Sequence, residues 1–197
     1  GSALAARLRG DDSVSVAYFG DGGSSKSDFH EGLNFAAVHQ LPVVLVCENN
    51  GVAISVPFEK QSGVARVADR AVGYAVVGIS VDGADPLQVY RVMREAVDAA
   101  RAGKGPALIE ARVTRIGQHT SQVGDERDPR QLAEARRHDP LPRFARYLRH
   151  HRVLDDGLEA EFQDRAQREV DDAVEFASKA PPPPPERAFA DVYATPV

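Results

Sequence analysis

The chain has 197 residues, 43% of them hydrophobic, and a formal net charge of −5, so it is long enough for one large domain or one domain with appendages. The negative balance predicts no nucleic-acid partner, and no apolar stretch approaches the ~20 residues of a membrane span, so no membrane partner is expected. The segment over residues 3–8 is too short for a signal peptide and is broken by Arg7, so the expected location is the cytoplasm.

Apolar runs and helix signals alternate through the first half of the chain. The predicted helices cover residues 3–9, 28–40, 64–72 and 86–102, the second beginning with a capping-box pattern from Asp28 to Glu31. The predicted strands cover residues 14–19, 42–47, 75–81 and 107–113. This alternation predicts an α/β fold with a doubly wound, mostly parallel sheet. A sheet whose first strand begins at residue 14 is expected to be incomplete at its N-terminal side.

The second half of the chain has a different character. An α/β domain over residues 1–115 is expected to be followed by a polar loop over 116–131 and a helical extension over 132–180. Within that extension, helices are predicted at 143–150 and 158–179. The last segment, 181–197, reads as a proline-rich spacer and tail, because five consecutive prolines favour a stiff polyproline helix. Cys47, the only cysteine, ends an apolar run and is expected to be a packed thiol.

Polar residues follow the first two predicted strands at the point where each strand ends. Asp21 lies between glycines after the first strand, and Asn50 lies in the turn Asn49-Asn50-Gly51 after the second. Neighbouring parallel strands would carry both side chains to one edge of the sheet, where ligands of α/β proteins bind. A carboxylate, an amide oxygen and a glycine-rich turn suit magnesium that holds a diphosphate.

The residues around these turns resemble a known family. Gly20-Asp21-Gly22 and Asn49-Asn50, at this separation, look like the thiamine-diphosphate motif. Four sequence segments are similar to the alpha subunit of the 2-oxo acid dehydrogenase first component, of branched-chain (2-oxoisovalerate) or pyruvate type. These segments cover residues 27–37, 41–44, 47–51 and 53–57. The segment 115–121 resembles its active-site loop, and 138–144 resembles the segment after that loop. The resemblance implies the thiamine-diphosphate-binding fold, with 1–115 as the domain that binds diphosphate and magnesium.

The resemblance also implies roles for individual residues. Asp21 and Asn50 would be magnesium ligands through their side chains and Val52 through its carbonyl, while Gly22 and Gly23 would offer backbone amides to the diphosphate. His119 would be the catalytic residue, lying over the thiazolium ring and steering the 2-oxo acid and the later acyl transfer. The implied cofactor-binding set is Asp21, Gly22, Gly23, Asn50, Val52 and His119.

The implied reaction is the oxidative decarboxylation of a 2-oxo acid with acyl transfer to a lipoyl group. The expected partners are a beta subunit (two alpha and two beta in all) and the lipoyl acyltransferase component, and the expected cofactors are thiamine diphosphate and magnesium. The sequence of the loop at 115–121 favours branched-chain 2-oxo acids, with pyruvate or acetoin as the alternative. A non-catalytic assembly module is the alternative from another class. A nucleotide-binding sheet of another family is disfavoured, because no Gly-x-Gly-x-x-Gly or Walker-type motif is present.

Overall fold

The computed structural model describes residues 1–120, 124 and 127–190. The chain divides into two compact units, Gly1–Phe144 and Ala145–Val197. Of the segments named above, parts of the loop at 116–131 and of the tail at 181–197 lie outside the described residues. Within the described part of the chain, none of the helices is both long and apolar enough to cross a membrane.

The first unit is built on a four-stranded sheet in which every pair of neighbours is parallel. Its strands are β1 (Ser15–Gly20), β2 (Val43–Asn49), β5 (Val77–Asp82) and β6 (Ala107–Arg112), in the spatial order β1-β2-β6-β5. Two further strands, β3 (Val52–Ala53) and β4 (Val56–Pro57), form a small antiparallel hairpin directly after β2. All four strands predicted from the sequence are present within two residues of their expected bounds.

The helices of the chain begin and end mostly where its sequence signals predict. The α-helices are α1 (Ser2–Arg9), α2 (Ser27–Val38), α3 (Pro86–Arg101), α4 (Pro129–Arg137), α5 (Pro140–His150) and α6 (Asp156–Lys179). Gly10 ends α1 in the left-handed conformation, with φ 70°, where a residue with a Cβ is strained. Asp85 caps α3, whose first residue is Pro86 as predicted.

The two faces of the sheet carry different apolar clusters, because successive side chains of a strand point to opposite faces. One face packs against α2 and a 3₁₀ segment, Val67–Tyr74, and its cluster consists of Phe29, Leu33, Leu45, Cys47, Phe58, Val67, Ala71 and Leu108. The other face packs against α3, and its cluster consists of Val44, Val46, Val81, Val92, Ala96, Ala107, Ile109 and Ala111. Helical segments on both faces of a parallel sheet confirm the predicted α/β class.

Three local predictions were wrong. Helix α2 begins at Ser27 with Lys26 at the N-cap and no side-chain cap, so the predicted capping box at Asp28 does not form; Asp28 is already helical because the helix follows directly on the preceding turn. The segment after residue 64 is a 3₁₀ segment rather than an α-helix. Helix α4 begins at Pro129, inside the segment expected to be a loop, and Asp128 and Gln131 form its capping box.

Within the residues that the structure describes, the sheet ends on one side at β1, which pairs there with β2 alone. Val16 and Tyr18 of this edge strand are exposed. A groove of about 840 Å³ runs beside β1, lined by residues of α1, β1 and α2. The second unit contains α6 and a short 3₁₀ turn, Pro185–Phe189, and none of the residues of these two elements is buried.

Candidate functional site

Asp21 lies directly after β1, at the carboxyl edge of the sheet. Its neighbour Gly20 is in register with Glu48 of β2, so the ends of the two strands are side by side. The Asp21 side chain is only 2% exposed, and one of its oxygens, Oδ2, accepts a hydrogen bond of 3.2 Å from Gln61 Nε2. Among the described residues, no cationic side chain forms an ion pair with this carboxylate. A buried carboxylate is expensive without a counter-charge, so the position favours a cation.

The turn at residues 49–51, named here the Asn50 turn, follows β2 at the same edge. Asn49 Oδ1 accepts a hydrogen bond of 2.9 Å from the Gly51 amide, and Gly51 has φ 78°, a conformation that suits glycine. Asn50 Oδ1 accepts the Val52 amide at 3.0 Å. A carbonyl oxygen has two lone pairs, so Asn50 Oδ1 keeps one for a metal.

The segment Asp21–Ser25, named here the Asp21 turn, touches the chain that follows the Asn50 turn. A Cβ added to Gly22 would lie 2.7 Å from the Cβ of Ala53, closer than two such atoms can approach. Gln61 spans the same gap, because its Nε2 donates both to Asp21 and, at 2.6 Å, to the carbonyl of Val56. The structure therefore brings together the two turns that the sequence singles out.

The Asp21 turn is also braced from within and from the 3₁₀ segment Val67–Tyr74. Ser24 is fully buried and its hydroxyl donates to the Asp21 carbonyl at 2.6 Å. Arg70 donates to the Ser24 carbonyl and, at 2.9 Å, to Ser62 Oγ. Gly23 lies within this turn against Phe19.

Val52 begins the hairpin, and its carbonyl is the third oxygen of the expected metal site. Its register partner is Pro57, which has no N–H, so Pro57 cannot occupy the Val52 carbonyl. Ile54, at the tip of the hairpin, has φ 57°, which is rare for a β-branched residue. Backbone strain of this kind is concentrated at functional sites.

His119 lines a cleft that also contains residues of the Asn50 turn and the hairpin. The cleft has a volume of about 370 Å³ and is lined by Gly51, Val52, Ile54, Ser55, Pro57, Arg115, His119, Gly124, Arg127 and Gln131. Two arginines stabilise the chain at residues 115–117, beside this cleft. Arg115 donates to the Ile54 carbonyl at 3.1 Å. Arg127 donates to the carbonyls of Arg115 and, at 2.8 Å, Gly117. The exposed imidazole of His119 therefore shares a cleft with the expected cofactor residue Val52.

The donor set at the two turns fits a magnesium ion that is shared with an anionic ligand. One carboxylate, one amide oxygen and one backbone carbonyl leave half of an octahedral shell for other oxygens, as Mg²⁺ prefers when it binds phosphates. The described residues contain no group of three or more His, Cys, Asp or Glu that could hold a metal without such a ligand.

The Cys47 thiol lies close to two of the carboxylates near the site. Burial, and then the negative charges of Glu110 and Asp21, raise the pKa of the Cys47 thiol to about 12. The two carboxylates therefore contribute a negative potential in this part of the protein.

Three residues that support the site were not predicted from the sequence. Gln61 lies in a segment without periodicity, and Arg70 lies in a predicted helix whose pattern does not show which carbonyl its side chain would reach. Glu110 is 1% exposed on β6 and accepts a hydrogen bond of 2.6 Å from Asn49 Nδ2. A charged residue inside the apolar run of a buried strand was the available signal for Glu110.

Comparison with known proteins relates the chain to one family. Residues 1–186 match the family described as "Dehydrogenase E1 component". The chain is 43% identical over 196 residues to the 2-oxoisovalerate dehydrogenase subunit alpha of Bacillus subtilis, covering 98% of this chain and 59% of that protein.

Two other relatives are similar at nearly the same level. The Staphylococcus aureus pyruvate dehydrogenase E1 component subunit alpha is 41% identical over 181 residues, which cover 90% of this chain and 49% of that protein. The Mycobacterium tuberculosis 3-methyl-2-oxobutanoate dehydrogenase subunit alpha is 41% identical over 197 residues, 98% of this chain and 53% of that protein. The chain thus spans about half the length of the curated relatives it matches.

Proposed function

The chain belongs to the dehydrogenase E1 component family, and on that premise we propose that it is part of the alpha subunit of a thiamine-diphosphate-dependent 2-oxo acid dehydrogenase. The proposed reaction is oxidative decarboxylation of a 2-oxo acid with acyl transfer to a lipoyl group. The observation that carries the proposal is the buried Asp21 carboxylate, which has no ion pair among the described residues and lies beside the Asn50 turn.

The residues of the two turns would hold the cofactor through magnesium. Asp21, Asn50 and the Val52 carbonyl would provide the protein oxygens, and the amides of Gly22 and Gly23 would bind the diphosphate. When bound, the cofactor would supply the electron sink that decarboxylation of a 2-oxo acid requires. The contact between Gly22 and Ala53 supports this assignment, because a side chain at residue 22 would push the Asp21 turn away from the hairpin that carries Val52.

His119 would act on the substrate from the wall of its cleft. The imidazole is exposed and can reach a ligand that enters beside Val52. A histidine can hold or release a proton near neutral pH, which suits a group that orients a 2-oxo acid and assists acyl transfer. Arg115 and Arg127 hold the chain just before His119, at residues 115–117, and so limit where the imidazole can lie.

We further propose branched-chain 2-oxo acids as substrates, with pyruvate or acetoin as the alternative. Two of the relatives described above are named for branched-chain 2-oxo acids and one for pyruvate, at 41–43% identity. The proposed partners are a beta subunit, two copies of each subunit forming the enzyme, and the lipoyl acyltransferase component. The cytoplasmic location stays a prediction from the sequence.

Calorimetric titration tests the cofactor site. The chain, produced together with the beta subunit, is titrated with thiamine diphosphate in the presence and absence of MgCl₂. We expect binding that requires Mg²⁺, and we expect Asp21→Asn to weaken the Mg²⁺ affinity about tenfold or more, since the variant keeps the shape of the ligand and loses its charge.

Asp12→Asn is the matched control, because it removes the same charge at the opposite end of β1, where the side chain is exposed. It should bind like the wild type. If the wild-type complex shows no Mg²⁺-dependent binding, the catalytic assignment falls and the non-catalytic assembly module remains. Turnover of 2-oxoisovalerate against pyruvate then separates the two substrate classes.

A further inference from the structure

Glu110 is a buried carboxylate that the proposed reaction does not use. It lies in the middle of β6, in register with Cys47 of β2 and Ser80 of β5, and is 1% exposed. Among the described residues it has no ion pair. A charge in such a position must be satisfied by hydrogen bonds, and the identity of its donors indicates what it holds in place.

The donors of Glu110 come from two different segments. Oε1 accepts from Asn49 Nδ2 at 2.6 Å and from the Val67 amide at 3.1 Å, and Oε2 accepts from the Ala68 amide at 3.4 Å. The carboxylate therefore joins the end of β2 to the start of the 3₁₀ segment Val67–Tyr74.

The bond to Asn49 fixes the Asn50 turn. With Nδ2 held by Glu110, the other side-chain atom of Asn49, Oδ1, faces the Gly51 amide and accepts it at 2.9 Å. Asn50 lies between these two anchored residues, and the Asn49 carbonyl also accepts the Val113 amide at 2.9 Å. The direction of the Asn50 side chain therefore depends on how Asn49 is oriented.

The bonds to the 3₁₀ segment reach the other turn. Arg70, two residues after Ala68, donates to the Ser24 carbonyl, and the Ser24 hydroxyl donates to the Asp21 carbonyl at 2.6 Å. Glu110 is thus linked by hydrogen bonds and covalent structure to the turns that carry both side-chain ligands of the proposed metal.

We propose that Glu110, acting through Asn49, is a positioning residue that presets the Asn50 turn for Mg²⁺; the proposal rests on the function proposed above. Mg²⁺ demands near-ideal octahedral geometry, so its affinity is sensitive to the direction of each oxygen. Residues that orient metal ligands change metal affinity about 10- to 100-fold when they are replaced. In the proposed site the amides of Gly22 and Gly23 would bind the diphosphate, so its affinity at saturating Mg²⁺ should change little.

The test exchanges the partners of this hydrogen bond in the complex with the beta subunit. Asn49→Asp places a carboxylate oxygen against Glu110 Oε1, so two acceptors face each other, and Asn49→Ala removes the donor altogether. Glu110→Gln is the milder change, because its oxygen can still accept from Asn49 and the Val67 amide while its NH₂ faces the Ala68 amide. Adding Glu110→Gln to Asn49→Asp supplies an NH₂ that can donate to the new carboxylate. We expect each Asn49 variant to weaken Mg²⁺ binding about 10- to 100-fold, measured by titrating MgCl₂ at saturating thiamine diphosphate. The double variant should regain part of the affinity that Asn49→Asp loses.

Glu48→Gln is the matched control, because Glu48 is an exposed carboxylate on β2, next in sequence to the Asn49 end of the strand. Recovery in the double variant supports positioning, because a general loss of packing would not be repaired by a second substitution. Folded Asn49 variants that bind Mg²⁺ like the wild type would overturn the inference while leaving the proposed function intact. If Asn49→Asp does not fold, Asn49→Ala makes the same measurement, because it leaves Glu110 with its two backbone donors. Failure of the wild type to bind Mg²⁺ would overturn both proposals.

Discussion

Gly22 is a residue at which the Asp21 turn packs closely against the hairpin after the Asn50 turn. A methyl group there would be 2.7 Å from Ala53 Cβ, so one of the two segments must move. We expect Gly22→Ala to lower the free energy of unfolding by about 1–3 kcal/mol and to weaken Mg²⁺-dependent cofactor binding. Urea unfolding and calorimetry measure the two effects.

Two comparisons make this result specific. Gly63→Ala adds a methyl group where nothing lies within 4 Å and should leave both quantities close to wild type. Adding Ala53→Gly to Gly22→Ala removes the clashing atom and should restore binding. If the double variant binds no better than Gly22→Ala, contact with Ala53 is not the reason that residue 22 is a glycine.

Cys47 gives a clean pH measurement, since it is the only cysteine of the chain. Its raised pKa, about 12, keeps the thiol protonated in the folded protein. Above pH ~8.5 the Cys47 thiol loses its proton in the unfolded chain but keeps it in the folded chain. The free energy of unfolding therefore falls as the pH rises, by up to about 1.4 kcal/mol per pH unit from this group. We expect Cys47→Ala to show a shallower loss of stability than wild type between pH 9 and 11, by urea unfolding. Equal slopes would mean that the thiol ionises freely in the folded state.

At the residue scale, position along the strand made the ligands predictable. Asp21 and Asn50 follow apolar strands directly, and parallel pairing carries strand ends to one edge, so their proximity could be inferred. Glu110 could not be assigned a role in the same way. Its donors are two residues of the 3₁₀ segment and Asn49, and a sequence does not show which backbone amides approach a given carboxylate.

Helix α3 offers a prediction at the scale of the element. Asp85 accepts the amides of Leu87 and Gln88 at 3.0 and 3.2 Å and also the Gln88 side chain at 2.7 Å. We expect Asp85→Ala to lower the free energy of unfolding by about 1 kcal/mol, measured with urea at pH 7. Glu95→Ala, which removes an exposed carboxylate farther along the helix, should be close to neutral.

The cap also has a pH dependence of known sign. The hydrogen bonds from Gln88, with a smaller attraction from Arg143, lower the pKa of Asp85 below its usual value. The stabilisation that the ionised Asp85 carboxylate gives the folded state is therefore present above pH ~4 and is lost as the pH falls through the lowered pKa. Asp85→Asn, which keeps an oxygen acceptor, should remove this acid-side loss and retain part of the cap. If Asp85→Asn loses as much stability at acid pH as the wild type does, the loss must come from other carboxyl groups.

The elements that were predicted well have strong local signals. Proline at the first position and a capping aspartate mark α3, and Gly10 marks the end of α1. Helix α4 has the same kind of signal, Asp128 followed by Pro129 and Gln131, but the polar composition of the segment concealed it. The 3₁₀ segment Val67–Tyr74 could not be distinguished from an α-helix, because tertiary contacts such as those with Glu110 decide its geometry.

At the scale of the molecule, the order of the strands was the main thing that the sequence did not provide. The central strands β2 and β6 are apolar on both faces, which predicts burial in a parallel sheet but not which strand lies in the middle. Strand β6 comes last in the chain and is inserted between β2 and β5. Because of that insertion, Glu110 lies beside Asn49 and can accept the hydrogen bond that holds the Asn50 turn.

The open side of β1 has a consequence for amide exchange. The Ser15 amide donates to the Pro42 carbonyl, so the alternation of a parallel ladder directs the Ala17 and Phe19 amides toward β2 and those of Val16 and Tyr18 away from the sheet. Deuterium should therefore enter Val16 and Tyr18 quickly and their two neighbours slowly, a two-residue pattern that NMR can resolve. Any chain that adds to this edge as a further strand would slow Val16 and Tyr18 alone, so these two amides report directly on whether the sheet is complete.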